Sequence, residues 1–157
     1  MTILASDIIN NTLLQRLARI SDTASQARAY PSSYTQWLTE HRTFSLGLGR
    51  RTLKTTTLLH YLDAQSVMIV HNQREADRLN KMYPHELPQI FSPYGFQYFV
   101  EQRIRGSNRV ISRIFMDECD LVDSRELERI YSSIEMLAAS RYLTVDVFIL
   151  KVGTPVR

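Results

Sequence analysis

The chain has 157 residues, a length that suits one domain, and its 44% hydrophobic content is enough to bury a core. A net charge of +3 and a pI near 9.2 permit phosphate-rich partners without demanding them. The single cysteine, Cys119, excludes an intramolecular disulfide and a cysteine-rich zinc site, and no apolar run approaches the ~20 residues that span a bilayer, so a reducing, cytoplasmic setting with no membrane partner is expected.

The first 42 residues read as a short N-terminal helical extension. Ile8, Ile9, Leu13, Leu17 and Ile20 recur at helical spacing behind Ser6 or Asp7, either of which suits a cap. The early Asp7 and the polar residues within this pattern argue against a signal peptide. A connector follows through Tyr30-Pro31, and Ser32 or Ser33 opens a second short helix through Trp37 to Glu40.

Residues 43–157 read as an α/β core. Phe44, Leu46 and Leu48 alternate as in a strand. Gly47, Gly49, Arg50, Arg51, Thr52 and Leu53 form a basic turn, and Lys54-Thr55-Thr56-Thr57 opens an apolar-periodic segment with Leu58, Leu59 and Leu62. Strand, glycine-bearing turn and helix beginning at Lys-Thr is the layout of a phosphate-binding loop, whose usual pattern is G-x-x-x-x-G-K-[ST]. In such a loop backbone N–H groups face phosphate oxygens, the lysine adds a point charge, and the next hydroxyl holds Mg²⁺. Among 19 basic residues only Lys54, Lys81 and Lys151 are lysines, and one of these falls at the phosphate position. An ordinary strand–turn–helix with a basic turn fits the same residues.

Farther on, residues 66–71 form a near-continuous apolar run typical of a strand covered on both faces. Asn72 starts a polar helix over residues 73–82, which ends before Tyr83-Pro84. Residues 90–92 and 97–100 read as short strand pieces, with Tyr94, Phe96, Tyr98 and Phe99 as one strand face; stacking on single-stranded nucleic acid is the alternative use of those rings beside Arg103 and Arg105. Residues 103–108 form a basic turn, residues 110–116 a strand ending in Asp117-Glu118, and Asp123 with Glu126 a capping box for a helix to about Ser140. A last strand covers residues 144–150. Alternation of strand and helix predicts a parallel sheet with helices on its faces.

A strand that delivers Asp117 and Glu118 at its carboxyl end suits a magnesium–nucleotide site, because ligands of open α/β sheets sit at that end. Asp117 would hold Mg²⁺ and Glu118 would orient and deprotonate a water. The two carboxylates also suit an ordinary helix N-terminal region. His41, His60, His71 and His85 lack metal-ligand spacing with one another.

Taken in order, GRRTLKTT, IFMDECDLV and ILKVGTP resemble the core of a P-loop ATPase of the RecA-like, additional-strand type, close to phage terminase large subunits and their helicase-like relatives. The resemblance covers about residues 43–157 and implies a three-layer parallel sheet. It assigns Gly49, Arg50, Arg51, Thr52, Lys54, Thr55 and Thr56 to nucleotide, Thr55 and Asp117 to Mg²⁺, Lys54 and Glu118 to catalysis, and Gly153 and Thr154 to a coupling motif. It implies Mg²⁺ and ATP as cofactors, DNA or RNA as a partner, a homo-oligomer or larger viral complex as the working assembly, and the host cytoplasm as its location. Ile104-Arg105-Gly106 resembles an Arg-Gly element that precedes the acidic strand, and Gln36 lies where an adenine-contacting glutamine falls.

Leu53 stands where the family has glycine, putting an isobutyl group where backbone approaches phosphate. Against the family's pattern a fifth core strand, a nuclease domain and an obvious arginine finger are expected to be missing, and Arg50, Arg51, Arg103 and Arg105 are candidates to supply such a charge in cis or to a neighbour. Three functions follow: hydrolysis of Mg-ATP coupled to viral nucleic-acid packaging or translocation; a degenerate loop that binds nucleotide or nucleic acid as a partner subunit; and a metal-dependent nuclease using Asp117, Glu118 and Asp120.

Overall fold

A computed structural model describes residues 38, 42–47, 54–83, 89–118 and 121–153. The expected N-terminal helix over residues 6–20 lies outside them. From the segment before the first strand, Leu38 is fully buried in the core, and the buried Arg42 donates from Nη1 to the Val147 carbonyl at 3.2 Å.

Among the described residues five strands and four helices alternate. They are β1 (Thr43–Gly47), α1 (Lys54–His60), β2 (Ser66–Ile69), α2 (Gln73–Met82), β3 (Ile90–Phe91), α3 (Pro93–Tyr98), β4 (Ile111–Met116), α4 (Ser124–Ala139) and β5 (Leu143–Gly153). A π-helical turn, Phe99–Arg103, prolongs α3. Among the described residues no helix is long and apolar enough to cross a membrane.

The strands form one sheet in the order β1-β5-β4-β2-β3, and every pairing in it is parallel. Parallel neighbours need crossover connections, and the helices supply them. The chain moves one way across the sheet through α1 and α2, then back through α3 and α4. Right-handed crossovers put the two pairs on opposite faces. The core agrees. Met68, Phe115, Phe148 and Leu150 pack with Leu58 and Leu59 of α1 and with Ala76 and Leu79 of α2. The alternate residues Val67, Ile69, Ile114 and Ile149 pack with Phe96, Phe99, Ile130, Ile134 and Leu137. Period-two alternation splits each central strand between two apolar clusters.

Local signals set the helix boundaries. The Asn72 side chain accepts from the Glu75 N–H and starts α2. Asp123 and Glu126 form the expected reciprocal capping box at α4. At the end of α4 the N–H of Tyr142 bonds the Leu137 carbonyl and that of Arg141 bonds the Ala138 carbonyl, a Schellman pair. Arg141 occupies its left-handed position with φ 63°.

Residues 97–100 are not a strand. Ser92 caps a helix by accepting from the Gly95 N–H at 3.0 Å, and Pro93 fills its first turn, where a missing N–H costs nothing. Phe96, Phe99, Val100 and Ile104 are buried, whereas Tyr94 and Tyr98 remain 60% and 55% exposed. These six aromatic and apolar positions therefore follow a helical period, continued through the π turn, and not the alternation of a strand.

A candidate metal–phosphate site at the carboxyl edge of the sheet

Asp117 follows β4 directly and is only 2% exposed. Its N–H donates to the Ile69 carbonyl at 3.0 Å and so extends the β2–β4 ladder by one rung. A carboxylate this buried is costly unless hydrogen bonds reach it. Two local ones do. The Thr55 hydroxyl donates to Oδ2 at 2.5 Å, and the Glu118 N–H donates to Oδ1 at 3.1 Å. The first contact spans 62 residues of chain and is as short as charge-assisted O–H···O⁻ bonds become.

Sheet order explains how these distant residues meet. β5 lies between β1 and β4, so two strand spacings, about 10 Å, separate the strand before α1 from the strand that ends at Asp117. The last paired rung of β1 and β5 is Gly47 with Gly153. Neither residue of that rung carries a side chain.

Glu118 has φ 51°, the left-handed region that residues other than glycine adopt at a cost of about 1–2 kcal/mol. Its carbonyl accepts from the Leu121 N–H at 2.9 Å, so the chain reverses within a few residues of the strand end. Strain of this kind persists where surrounding contacts over-determine the backbone, and it concentrates at functional sites.

A hydroxyl and a carboxylate in contact form a hard-oxygen donor pair. Among the described residues no group of three or more His, Cys, Asp and Glu gathers as a metal cage. A pair fits Mg²⁺, which keeps most of its water and takes one or two protein oxygens plus phosphate oxygens.

The remaining expected site residues divide by position. Lys54 is the first residue of α1 and Thr56 lies in its first turn. Gly153 ends β5. Gly49, Arg50, Arg51, Thr52, Leu53, Gln36, Cys119, Asp120 and Thr154 lie outside the described residues. Arg103 and Arg105 do not converge on Asp117. The turn that carries Arg105 enters β4 at its start, pinned by the Gly106 N–H to the Tyr142 hydroxyl at 3.1 Å. The length of β4, about 20 Å, separates that end from Asp117.

One residue at the edge was set aside in the sequence because it lacks metal-ligand spacing with the other histidines. His71 lies two positions beyond Ile69, so it leaves β2 at the edge where Asp117 leaves β4. Its Nδ1 is buried with no hydrogen-bond partner among the described residues. The signal available in the sequence was its place at the end of the 66–71 apolar run.

No protein-family model matches this chain, and no curated protein matches it significantly.

Proposed function

We propose that the edge formed by Lys54, Thr55, Asp117 and Glu118 binds a magnesium–nucleoside triphosphate, ATP in the first instance, and hydrolyses it. The observation that carries this reading is the 2.5 Å contact between the Thr55 hydroxyl and the Asp117 carboxylate. Thr55 follows the lysine of the sequence motif and Asp117 opens the acidic pair, so two motifs defined independently meet at one point. The sheet order supports the same reading. One strand, β5, lies between the strand before the loop and the strand of the acids, and helices pack against the sheet in two apolar clusters.

In this reading Thr55 and Asp117 hold the metal, and Lys54 adds positive charge against the phosphates. Bound Mg²⁺ supplies charge neutralisation to the phosphate oxygens. Glu118 orients a water and takes its proton as the water oxygen attacks the terminal phosphorus, and the bond to the leaving diphosphate breaks. The resemblance to terminase-type motors extends the reading to work on nucleic acid, in packaging or translocation. Leu53 favours a second outcome, binding with little turnover, because its side chain crowds the approach of backbone to phosphate.

Phosphate release from Mg-ATP, with and without DNA, separates these outcomes. The parent hydrolyses ATP, and Lys54→Ala and Glu118→Gln each reduce the rate about 100-fold or more. A Glu118→Gln variant as fast as the parent rules out the catalytic assignment. A parent that binds ATP without turnover, and gains turnover on Leu53→Gly, establishes the degenerate form.

A further inference from the structure

We infer that the exposed side of α3 is a stacking surface for single-stranded nucleic acid, with Tyr94 and Tyr98 as its platforms. The two rings are 60% and 55% exposed although their neighbours Phe96 and Phe99 are in the core. They stand one helical turn apart, about 6 Å, so successive bases can each meet a ring. Each ring already carries a guanidinium on one face: Arg129 lies 4.2 Å from the Tyr94 centroid and Arg103 lies 5.7 Å from that of Tyr98. Arg129 is held there by donating from Nη1 to the Gln97 side-chain carbonyl at 2.8 Å.

The charge around the rings selects the partner. Arg105 is exposed beyond the π turn, and Arg125 is exposed one turn before Arg129 on α4. The acid between Tyr94 and Arg105, Glu101, is half-buried and accepts from the Gln97 side chain at 3.1 Å, and on α4 the half-buried Glu126 and the exposed Glu128 lie between Arg125 and Arg129. Four arginines beside two exposed tyrosines match a strand of phosphates with unpaired bases: the guanidinium groups meet the backbone and the rings meet the bases. A duplex hides its base faces and has no use for the rings.

Placement strengthens the inference. Ser92 starts α3 directly after β3, at the carboxyl edge of the sheet, so Tyr94 is near the edge that carries Asp117. The stripe then runs from Tyr94 through Tyr98 toward Arg105, away from that edge. This surface gives the nucleic-acid half of the proposed function a location. It rests on that reading for its biological use but not for its chemistry.

The test uses a fluorescein-labelled 20-nucleotide oligothymidylate and the full chain, by fluorescence anisotropy, without nucleotide or Mg²⁺. A failure here then leaves the hydrolysis assignment standing, and a failed hydrolysis assay leaves this surface standing. The parent binds at low salt. Tyr94→Ala and Tyr98→Ala each weaken binding about 5- to 100-fold, whereas Tyr94→Phe and Tyr98→Phe retain it. Arg125→Ala lowers the salt dependence by roughly one phosphate contact. Photocrosslinking of a bromodeoxyuridine oligonucleotide to the parent, mapped by mass spectrometry to the peptide holding Tyr94 and Tyr98, needs no substitution. A parent that ignores the oligonucleotide, an Ala double variant that binds as the parent does, or crosslinks that map elsewhere would each overturn the inference. So would dimers of the chain that dissociate in the double variant, which would assign the patch to a second copy.

Discussion

Asp117 is a carboxylate taken almost wholly out of water at the end of a strand, and Thr55 and Glu118 are its donors among the described residues. Removing the Thr55 hydroxyl takes one away. Thr55→Val is expected to cost about 1–3 kcal/mol of stability, because a buried charged acceptor loses a bond, while Thr55→Ser stays near the parent in denaturant melts. Glu118 adds a second test. Its φ of 51° suits glycine, so Glu118→Gly is expected to stabilise the fold by about 1 kcal/mol even though it removes the proposed base. A residue whose loss raises stability and ends turnover is retained for chemistry. If Glu118→Gly instead lowers the melting temperature and leaves hydrolysis intact, Glu118 is a structural residue.

At the scale of elements, the parts of the fold with polar punctuation were legible in the sequence. Asn72 marked the start of α2, and the Asp123-Glu126 box marked α4, because a cap is a local exchange of hydrogen bonds between residues three apart. Asp123→Ala should therefore cost about 1 kcal/mol. The stretch from Pro93 to Arg103 was not legible. Pro93 and Gly95 look like breakers, and Tyr94, Phe96 and Tyr98 alternate by coincidence. The buried positions are Phe96, Phe99, Val100 and Ile104, a helical spacing that continues from α3 through the π turn. The end of α4 makes a separate prediction. Arg141 holds the left-handed position of a Schellman motif, φ 63°, where glycine has no Cβ penalty. Arg141→Gly should raise stability by about 1 kcal/mol, a gain of a few degrees in the melting midpoint; an unchanged or lower midpoint would contradict the motif.

At the scale of the whole molecule, the sheet order turns two local motifs into one candidate site. Nothing in β1 or β4 says that β5 will lie between them, since strand neighbours are chosen by long-range packing that no short pattern encodes. The meeting of Thr55 with Asp117 was expected only through the resemblance of the motifs to a family, and no family match accompanies it. The fold class itself came from simple alternation of strand and helix, which admits few topologies once crossovers are right-handed. The central sheet also supports the edge mechanically. Phe115 is fully buried one position before Met116 and rests against Phe148 edge-on, with centroids 6.4 Å apart. Phe115→Ala is expected to cost about 3–5 kcal/mol and, by loosening the strand that delivers Asp117, to impair nucleotide binding as well.

The central claim is that Thr55 and Asp117 together receive a metal-bound triphosphate. Its most direct test is the thermal melt of the parent and of Asp117→Asn with Mg²⁺ and a non-hydrolysable ATP analogue, each alone and both together. At 100 times the dissociation constant a ligand adds about 2.7 kcal/mol, roughly 5–10 °C for a chain of this size. The account predicts that shift for the parent only when metal and analogue are both present, and its loss in Asp117→Asn. An equal shift in both proteins, or no shift in the parent at millimolar analogue, would contradict it.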